Sequence, residues 1–96
     1  MLIDELRAQK AVINELASRY GASHVRLFGS VARGEETPDS DIDLLVDLPR
    51  GYDLFKQRLP LTEQLSNLFK RRVDLMPEHE LNQHIRDQVL SEATEL

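Results

Sequence analysis

Cysteine and tryptophan are absent from this 96-residue chain, and aromatic residues make up only 5% of it. The lack of cysteine excludes disulfide bonds and thiolate metal sites. No apolar run approaches the ~20 residues of a membrane span, and the first residues lack the charged-then-apolar pattern of a secretory leader. We therefore expect a cytoplasmic protein with no membrane partner.

Basic residues are also few, at 12 against 17 acidic ones, which gives a net charge of -5. Nucleic-acid backbones are held by clusters of lysine and arginine, so nucleic acid is not expected as the main partner. The only basic run is Lys70-Arg71-Arg72. It is typical of a helix carboxyl end, where the dipole favours positive charge, and the alternative is contact with an acidic partner or acceptor.

Short apolar runs at residues 24–28, 41–47 and 72–76 alternate with segments of helical periodicity, and they predict three strands. Apolar residues from Leu2 to Tyr20 predict one amphipathic helix. Asp53 is a suitable cap for the next helix, in which Pro60 predicts a kink or a restart. Pro77 predicts the start of a last helix that carries residues 81–93. The prediction is an α/β fold in a single domain over residues 1–96, with a short mixed sheet flanked by helices.

The dipeptide Gly29-Ser30 follows the first predicted strand directly. Glycine lets the backbone approach phosphate oxygens closely, and serine adds a hydroxyl and a backbone N–H as donors. These residues predict a phosphate-binding loop at the strand end. Arg33 lies three residues further on, where its guanidinium either binds a phosphate in a two-pronged fashion or lies exposed in the loop.

Two carboxylates, Asp41 and Asp43, open the second predicted strand. Alternation along a strand puts both on one face with their Cα atoms roughly 6 to 7 Å apart. They can bind one or two Mg²⁺ ions, although an Asp-x-Asp can equally be a solvated strand end. Asp74 lies in the third predicted strand, where an unpaired buried carboxylate would be costly. Three aspartates on two strands therefore predict a metal site.

Fifteen contiguous positions, from Gly29-Ser30 to Asp41-Ile42-Asp43, together with Asp74 form a pattern that resembles the DNA polymerase beta-like nucleotidyltransferase superfamily. The short chain resembles its minimal nucleotidyltransferase group, and in particular the MntA-type antitoxins that accompany HEPN-domain toxins. The resemblance implies that Gly29 and Ser30 hold a triphosphate and that Asp41 and Asp43 bind two Mg²⁺. It also implies that Asp74 completes one metal site and assists deprotonation of the acceptor.

Two classes of function follow from this resemblance. The first is an enzyme that transfers AMP from ATP to a hydroxyl, that of a tyrosine, on a cognate HEPN-domain toxin with which it forms a hetero-oligomer. The second is a non-catalytic antitoxin that neutralises the toxin by binding alone. A small-molecule acceptor is disfavoured because the chain is too short to enclose one. Three carboxylates that repel one another without metal favour the enzyme.

Overall fold

The computed structural model describes all 96 residues and has the α/β architecture that the sequence predicts. The five α-helices are α1 (Leu2–Ala8), α2 (Lys10–Arg19), α3 (Gly29–Arg33), α4 (Leu59–Phe69) and α5 (Gln83–Glu92). The four strands are β1 (Ser23–Phe28), β2 (Ile42–Asp47), β3 (Val73–Pro77) and β4 (Thr94–Glu95). No helix is both long enough and apolar enough to cross a bilayer.

The sheet is mixed, with the strand order β3-β2-β1-β4. Strand β2 runs parallel to β3 and antiparallel to β1, and β4 pairs antiparallel with β1. Four apolar residues of β2 are inaccessible to solvent, namely Ile42, Leu44, Leu45 and Val46, and the half-buried Asp43 lies between the first two. An apolar run buried on both faces is expected of a central strand. This buried strand carries Asp43, and Asp41 immediately precedes it.

The predicted first helix is divided into α1 and α2 at Gln9. The prediction of one continuous helix is wrong, because the backbone leaves the helical conformation at Gln9, where φ is -102° and ψ is 16°. Leu2 and Leu6 are buried from α1, and Ile13 and Ala17 from α2.

Asp53 caps its helical segment as predicted, since its carboxylate accepts from the N–H groups of Phe55 and Lys56 at 2.9 and 3.0 Å. The segment begins as a π-helical turn, Leu54–Arg58, and α4 starts at Leu59 with Pro60 in its first turn. The predicted restart at Pro60 is confirmed.

The predicted start of the last helix is wrong. Pro77 ends β3, a 3₁₀ turn follows at Glu78–Glu80, and buried Leu81 is extended. Helix α5 starts only at Gln83, where the Asn82 side chain accepts from the His84 N–H at 2.8 Å. Strand β4 was not predicted, because two residues are too few to show an alternating pattern.

The outer edge of β3 is occupied by other parts of the chain. The Val73 N–H donates to Ser66 Oγ at 3.2 Å, and the Leu75 carbonyl accepts from Arg58 Nε at 3.0 Å. Pro77 has no N–H to offer. Side chains from the preceding helical segment therefore bind the backbone groups that a further strand would use.

Candidate functional site

Strand β1 ends at Phe28, and the chain turns directly into the short helix α3. Gly29 adopts φ +76°, and Gly34 ends the helix at φ +72°. The sequence predicted a loop here, and the structure has a helical turn instead. Val31 explains the difference, because its side chain is 1% exposed and anchors the turn to the core.

Gly29 lies directly against the carboxylate of Asp43. A Cβ added to Gly29 would lie 2.2 Å from Asp43 Oδ2 and 3.0 Å from its Cγ. Phe28 and Asp43 are paired in the β1–β2 ladder, which brings the two elements together. This position therefore needs glycine for contact with Asp43 as well as for its positive φ.

The three predicted acidic residues meet at one end of the sheet. Asp43 and Asp74 are register partners on the parallel strands β2 and β3, which puts their Cα atoms about 5 Å apart. Asp41 lies two residues before Asp43 and so on the same face, with Arg72 Nε 3.9 Å from its Oδ2. Asp74 is exposed because β3 is an edge strand, so the cost of burying a carboxylate, which the sequence argument used, does not apply to it.

The electrostatics of the site centre on Asp43. Burial, and then the neighbouring carboxylates of Asp74 and Asp41, raise the pKa of Asp43 to about 6, while Arg33 opposes the shift. A cation at this point would offset the repulsion between the carboxylates. The cluster is therefore suited to a divalent ion.

Mg²⁺ fits the donor set of these aspartates. No three or more His, Cys, Asp or Glu side chains converge closely enough to enclose an ion. Mg²⁺ is commonly held by one or two carboxylates together with substrate phosphates and water. Asp41, Asp43 and Asp74 offer hard oxygen ligands of this kind, although as a set they do not enclose an ion by themselves.

Arg33 lies beside the turn at Gly29 and is engaged by two carboxylates. Its Nε donates to Glu35 at 3.2 Å and its NH1 to Glu92 at 2.9 Å. These hydrogen bonds raise the pKa of Arg33 above its usual value. Glu92 also accepts from the Gly29 N–H at 2.6 Å. The structure therefore brings Gly29, Ser30 and Arg33 together at one turn, with a glutamate beside them that the sequence did not predict.

Comparison with known proteins assigns the family. Residues 10–96 match the family described as the nucleotidyltransferase domain. The chain belongs to this family. The protein adenylyltransferase MntA of Thermococcus cleftensis is 41% identical over 78 residues, which cover 81% of this chain and 78% of that protein. A protein of Methanocaldococcus jannaschii assigned as a protein adenylyltransferase is 38% identical over 74% of this chain and 69% of its own length.

Solved structures agree with this assignment. One assigned as a minimal nucleotidyltransferase has a TM-score of 0.84 and 44% identity, and the alignment covers 97% of this chain and 94% of that one. A toxin–antitoxin complex solved with AMP-PNP has a TM-score of 0.71 at 24% identity, over 84% of this chain and 66% of that one. The second likeness shows a shared fold. The protein is thus a nucleotidyltransferase enzyme with the minimal fold.

Arg71 is a second residue near the site that the sequence did not predict. It binds the loop that precedes Asp41. Arg71 NH1 donates to the carbonyls of Thr37 and Ser40, both at 3.0 Å. Asp41 follows Ser40 directly. The basic run therefore has two roles. Lys70 is the C-cap of α4, and Arg71 holds the segment that leads into Asp41.

The three aspartates of the candidate site lie outside both cavities of the protein. The largest concavity, of about 350 Å³, lies between α2 and the start of β1, where Lys10, His24 and Glu95 are among its lining residues. None of the three aspartates lines it or the smaller second cavity.

Proposed function

We propose that this nucleotidyltransferase transfers AMP from ATP to a hydroxyl group, that of a tyrosine, on a cognate HEPN-domain toxin. It would then be the antitoxin of a toxin–antitoxin pair and would act within a hetero-oligomer. The observation that carries this proposal is the pairing of Asp43 with Asp74 across β2 and β3, with Asp41 on the same face. A protein that only bound its partner would have no use for three carboxylates placed to repel one another.

The relatives support the choice of nucleotide and partner. The relative from T. cleftensis is named a protein adenylyltransferase, MntA. A protein of the same name is half of the MntA–HpeT toxin–antitoxin complex, which shares this fold with a TM-score of 0.72 at 20% identity. AMP-PNP, an ATP analogue, is present in the related complex. We infer ATP as the substrate and a toxin as the acceptor protein.

The roles of the residues follow from their places in the site. Gly29, Ser30 and Arg33 would hold the triphosphate, since they lie together at the turn after β1. Asp41 and Asp43 would hold Mg²⁺ ions, two in all, with Asp74 completing one of the sites. Bound Mg²⁺ neutralises phosphate charge and lowers the pKa of a nearby hydroxyl.

The proposed transfer is a displacement at the α-phosphorus of ATP. The acceptor oxygen forms a bond to that phosphorus, the bond to the bridging oxygen of the β-phosphate breaks, and pyrophosphate leaves with the bonding electrons. The proton of the acceptor hydroxyl passes to the Asp74 carboxylate. Asp74 is suited to this role because it is exposed on an edge strand, where a residue of another protein can reach it.

The experiment that tests this function compares Asp74→Asn with Asp87→Asn. Asp87 is an exposed aspartate of α5 outside the site, so its variant controls for loss of a surface charge. Each variant is co-expressed with the toxin, and co-purification, intact mass of the toxin and cell growth are measured. We expect both variants to bind the toxin, and only Asp87→Asn to add AMP to it and to protect the cells.

Growth and mass together separate the two classes of function. Full protection by Asp74→Asn without added mass would contradict the enzymatic proposal and would favour neutralisation by binding alone. Added mass on the toxin with Asp74→Asn, at the wild-type rate, would remove Asp74 from the mechanism.

A further inference from the structure

Glu92, the last residue of α5, reaches two groups of the turn after β1. Its Oε1 accepts from the Gly29 N–H at 2.6 Å and from Arg33 NH1 at 2.9 Å. The side chain is 18% exposed, whereas Glu35, the other carboxylate that contacts Arg33, is 66% exposed. Glu92 is thus the better shielded of the two partners, and the only one that also binds the backbone of the turn.

We propose that Glu92 is a positioning residue of the nucleotide site, which fixes the Gly29 peptide and directs the Arg33 guanidinium. This inference rests on the proposed function, because it assumes that the turn and Arg33 bind the triphosphate of ATP. Glu92 acts through these two groups and does not itself contact the substrate.

The contact with Gly29 bears on Asp43. The Gly29 Cα lies so close to the Asp43 carboxylate that no side chain fits between them. A charge-assisted hydrogen bond is stronger than a neutral one and strongly orients its donor. By holding the Gly29 N–H, Glu92 keeps the turn in the conformation that packs against Asp43.

The contact with Arg33 orders a side chain whose other partner, Glu35, is largely exposed to water. Arg33 is 44% exposed, and a free arginine side chain populates many rotamers, so fixing it costs conformational entropy. Because the ion pair with the shielded Glu92 carboxylate already fixes the Arg33 side chain, less conformational entropy is lost when ATP binds. Arg33 still has donors besides Nε and NH1, which are available to a phosphate.

The backbone holds Glu92 in this place. The Ala93 N–H donates to the Val89 carbonyl at 2.9 Å, which is a helical hydrogen bond, and Thr94 then pairs with Leu27 of β1. Strand β1 is also the strand that delivers Gly29. The short strand β4 therefore aligns the end of α5 with the turn, and the position of the carboxylate follows from main-chain pairing.

The test measures ATP binding in the presence of Mg²⁺ by calorimetry, and AMP transfer at varied ATP, for Glu92→Ala and Glu92→Gln. We expect Glu92→Ala to weaken ATP binding at least about tenfold, with KM rising more than kcat falls. Glu92→Gln keeps the size and an acceptor for Gly29 but loses the ion pair, so an intermediate loss is expected. Glu92→Gln also tests the inference by itself if the Glu92→Ala variant does not fold.

The matched control is Glu95→Gln, in β4. Glu95 pairs with His24 at 2.5 Å and contacts no residue of the turn, so its variant reports any general loosening of β4. We expect ATP binding within about twofold of wild type. A loss equal to that of Glu92→Gln would show that strand stability, not positioning, is responsible.

Arg33→Ala completes a double-mutant cycle with Glu92→Ala. If Glu92 acts partly through Arg33, its removal costs less affinity in the Arg33→Ala background than in the wild type. Equal losses in both backgrounds, unchanged ATP affinity, or tighter ATP binding on loss of Glu92 would overturn the inference. If wild-type protein bound no ATP, the proposed function itself would fail, which is a distinguishable result.

Discussion

Replacing Gly29 with alanine tests whether the contact between the turn and Asp43 sets the geometry of the site. Gly29 has φ +76°, where an L-residue is strained by roughly 1 to 2 kcal/mol. The new Cβ would also lie 2.2 Å from Asp43 Oδ2. Non-bonded heavy atoms rest about 3.5 Å apart, so the carboxylate or the turn must shift by about 1 Å.

The overlap between the new Cβ and Asp43 can be relieved in two ways, one of which lowers the stability of the protein and the other the rate of AMP transfer. Relief of the overlap by strain in the packing costs about 1 to 3 kcal/mol of unfolding free energy beyond the strain at φ. Relief by movement of Asp43 misplaces a metal ligand, and a shift of about 1 Å costs roughly 100-fold in rate. We expect the rate of AMP transfer to fall by about this factor, with the fold retained.

Gly51→Ala is the matched control. Gly51 also has a positive φ, at +81°, but nothing lies within 4 Å of an added Cβ. Both variants carry the strain at φ, and only Gly29→Ala carries the overlap. The free energy of unfolding is measured by urea titration, and the rate of AMP transfer at saturating ATP and Mg²⁺.

The ratio of the two variants' AMP-transfer rates isolates the effect of the overlap with Asp43. A rate for Gly29→Ala within about threefold of that for Gly51→Ala would show that this overlap does not affect AMP transfer, and would refute the prediction.

Three further predictions concern the acids and the loop before them. The pKa of Asp43 is raised from 3.8 to about 6, so its contribution to stability is fully present below pH 3.8 and is lost as pH rises through about 6. The metal-free Asp43→Asn variant should lack this part of the pH dependence in thermal melts, and parallel curves for the variant and the wild type would count against the shift. Asp41→Asn should abolish AMP transfer while leaving the far-ultraviolet circular dichroism unchanged, because one metal ligand is lost; near-normal transfer would remove Asp41 from the metal site. Arg71→Gln should lower AMP transfer about tenfold by releasing the carbonyls of Thr37 and Ser40; unchanged transfer would mean that this brace is dispensable.

The parts of the fold that could be predicted from the sequence are those in which the apolar residues along the chain are the residues that become buried. Strand β2 shows this best, because three apolar residues in a row, Leu44 to Val46, lie between two acids and are buried on both faces of the sheet. Asp53 was predictable as a cap because capping depends on neighbours two and three residues away. The juxtaposition of Asp41, Asp43 and Asp74 followed from strand periodicity and from a resemblance that named the third acid.

The rest depended on contacts between distant segments. Glu92 is an ordinary glutamate at a helix end, and nothing in its neighbourhood along the chain indicates that it binds Gly29. Arg71 belongs to a basic run whose local environment fits a helix end equally well. The break at Gln9 could not be predicted because the buried residues on either side of it, Leu2 and Leu6 before and Ile13 and Ala17 after, keep the spacing of one helix face.

The occupied edge of β3 has a consequence for how this protein meets other chains. An unpaired strand edge is a template for aggregation and for the addition of a foreign strand. Here Ser66 and Arg58 bind two of the outward backbone groups of β3, Pro77 offers no donor, and the opposite edge is a strand of only two residues. Both edges are thereby poor templates for a further strand, and we expect a partner that approaches Asp74 to make its contacts through side chains.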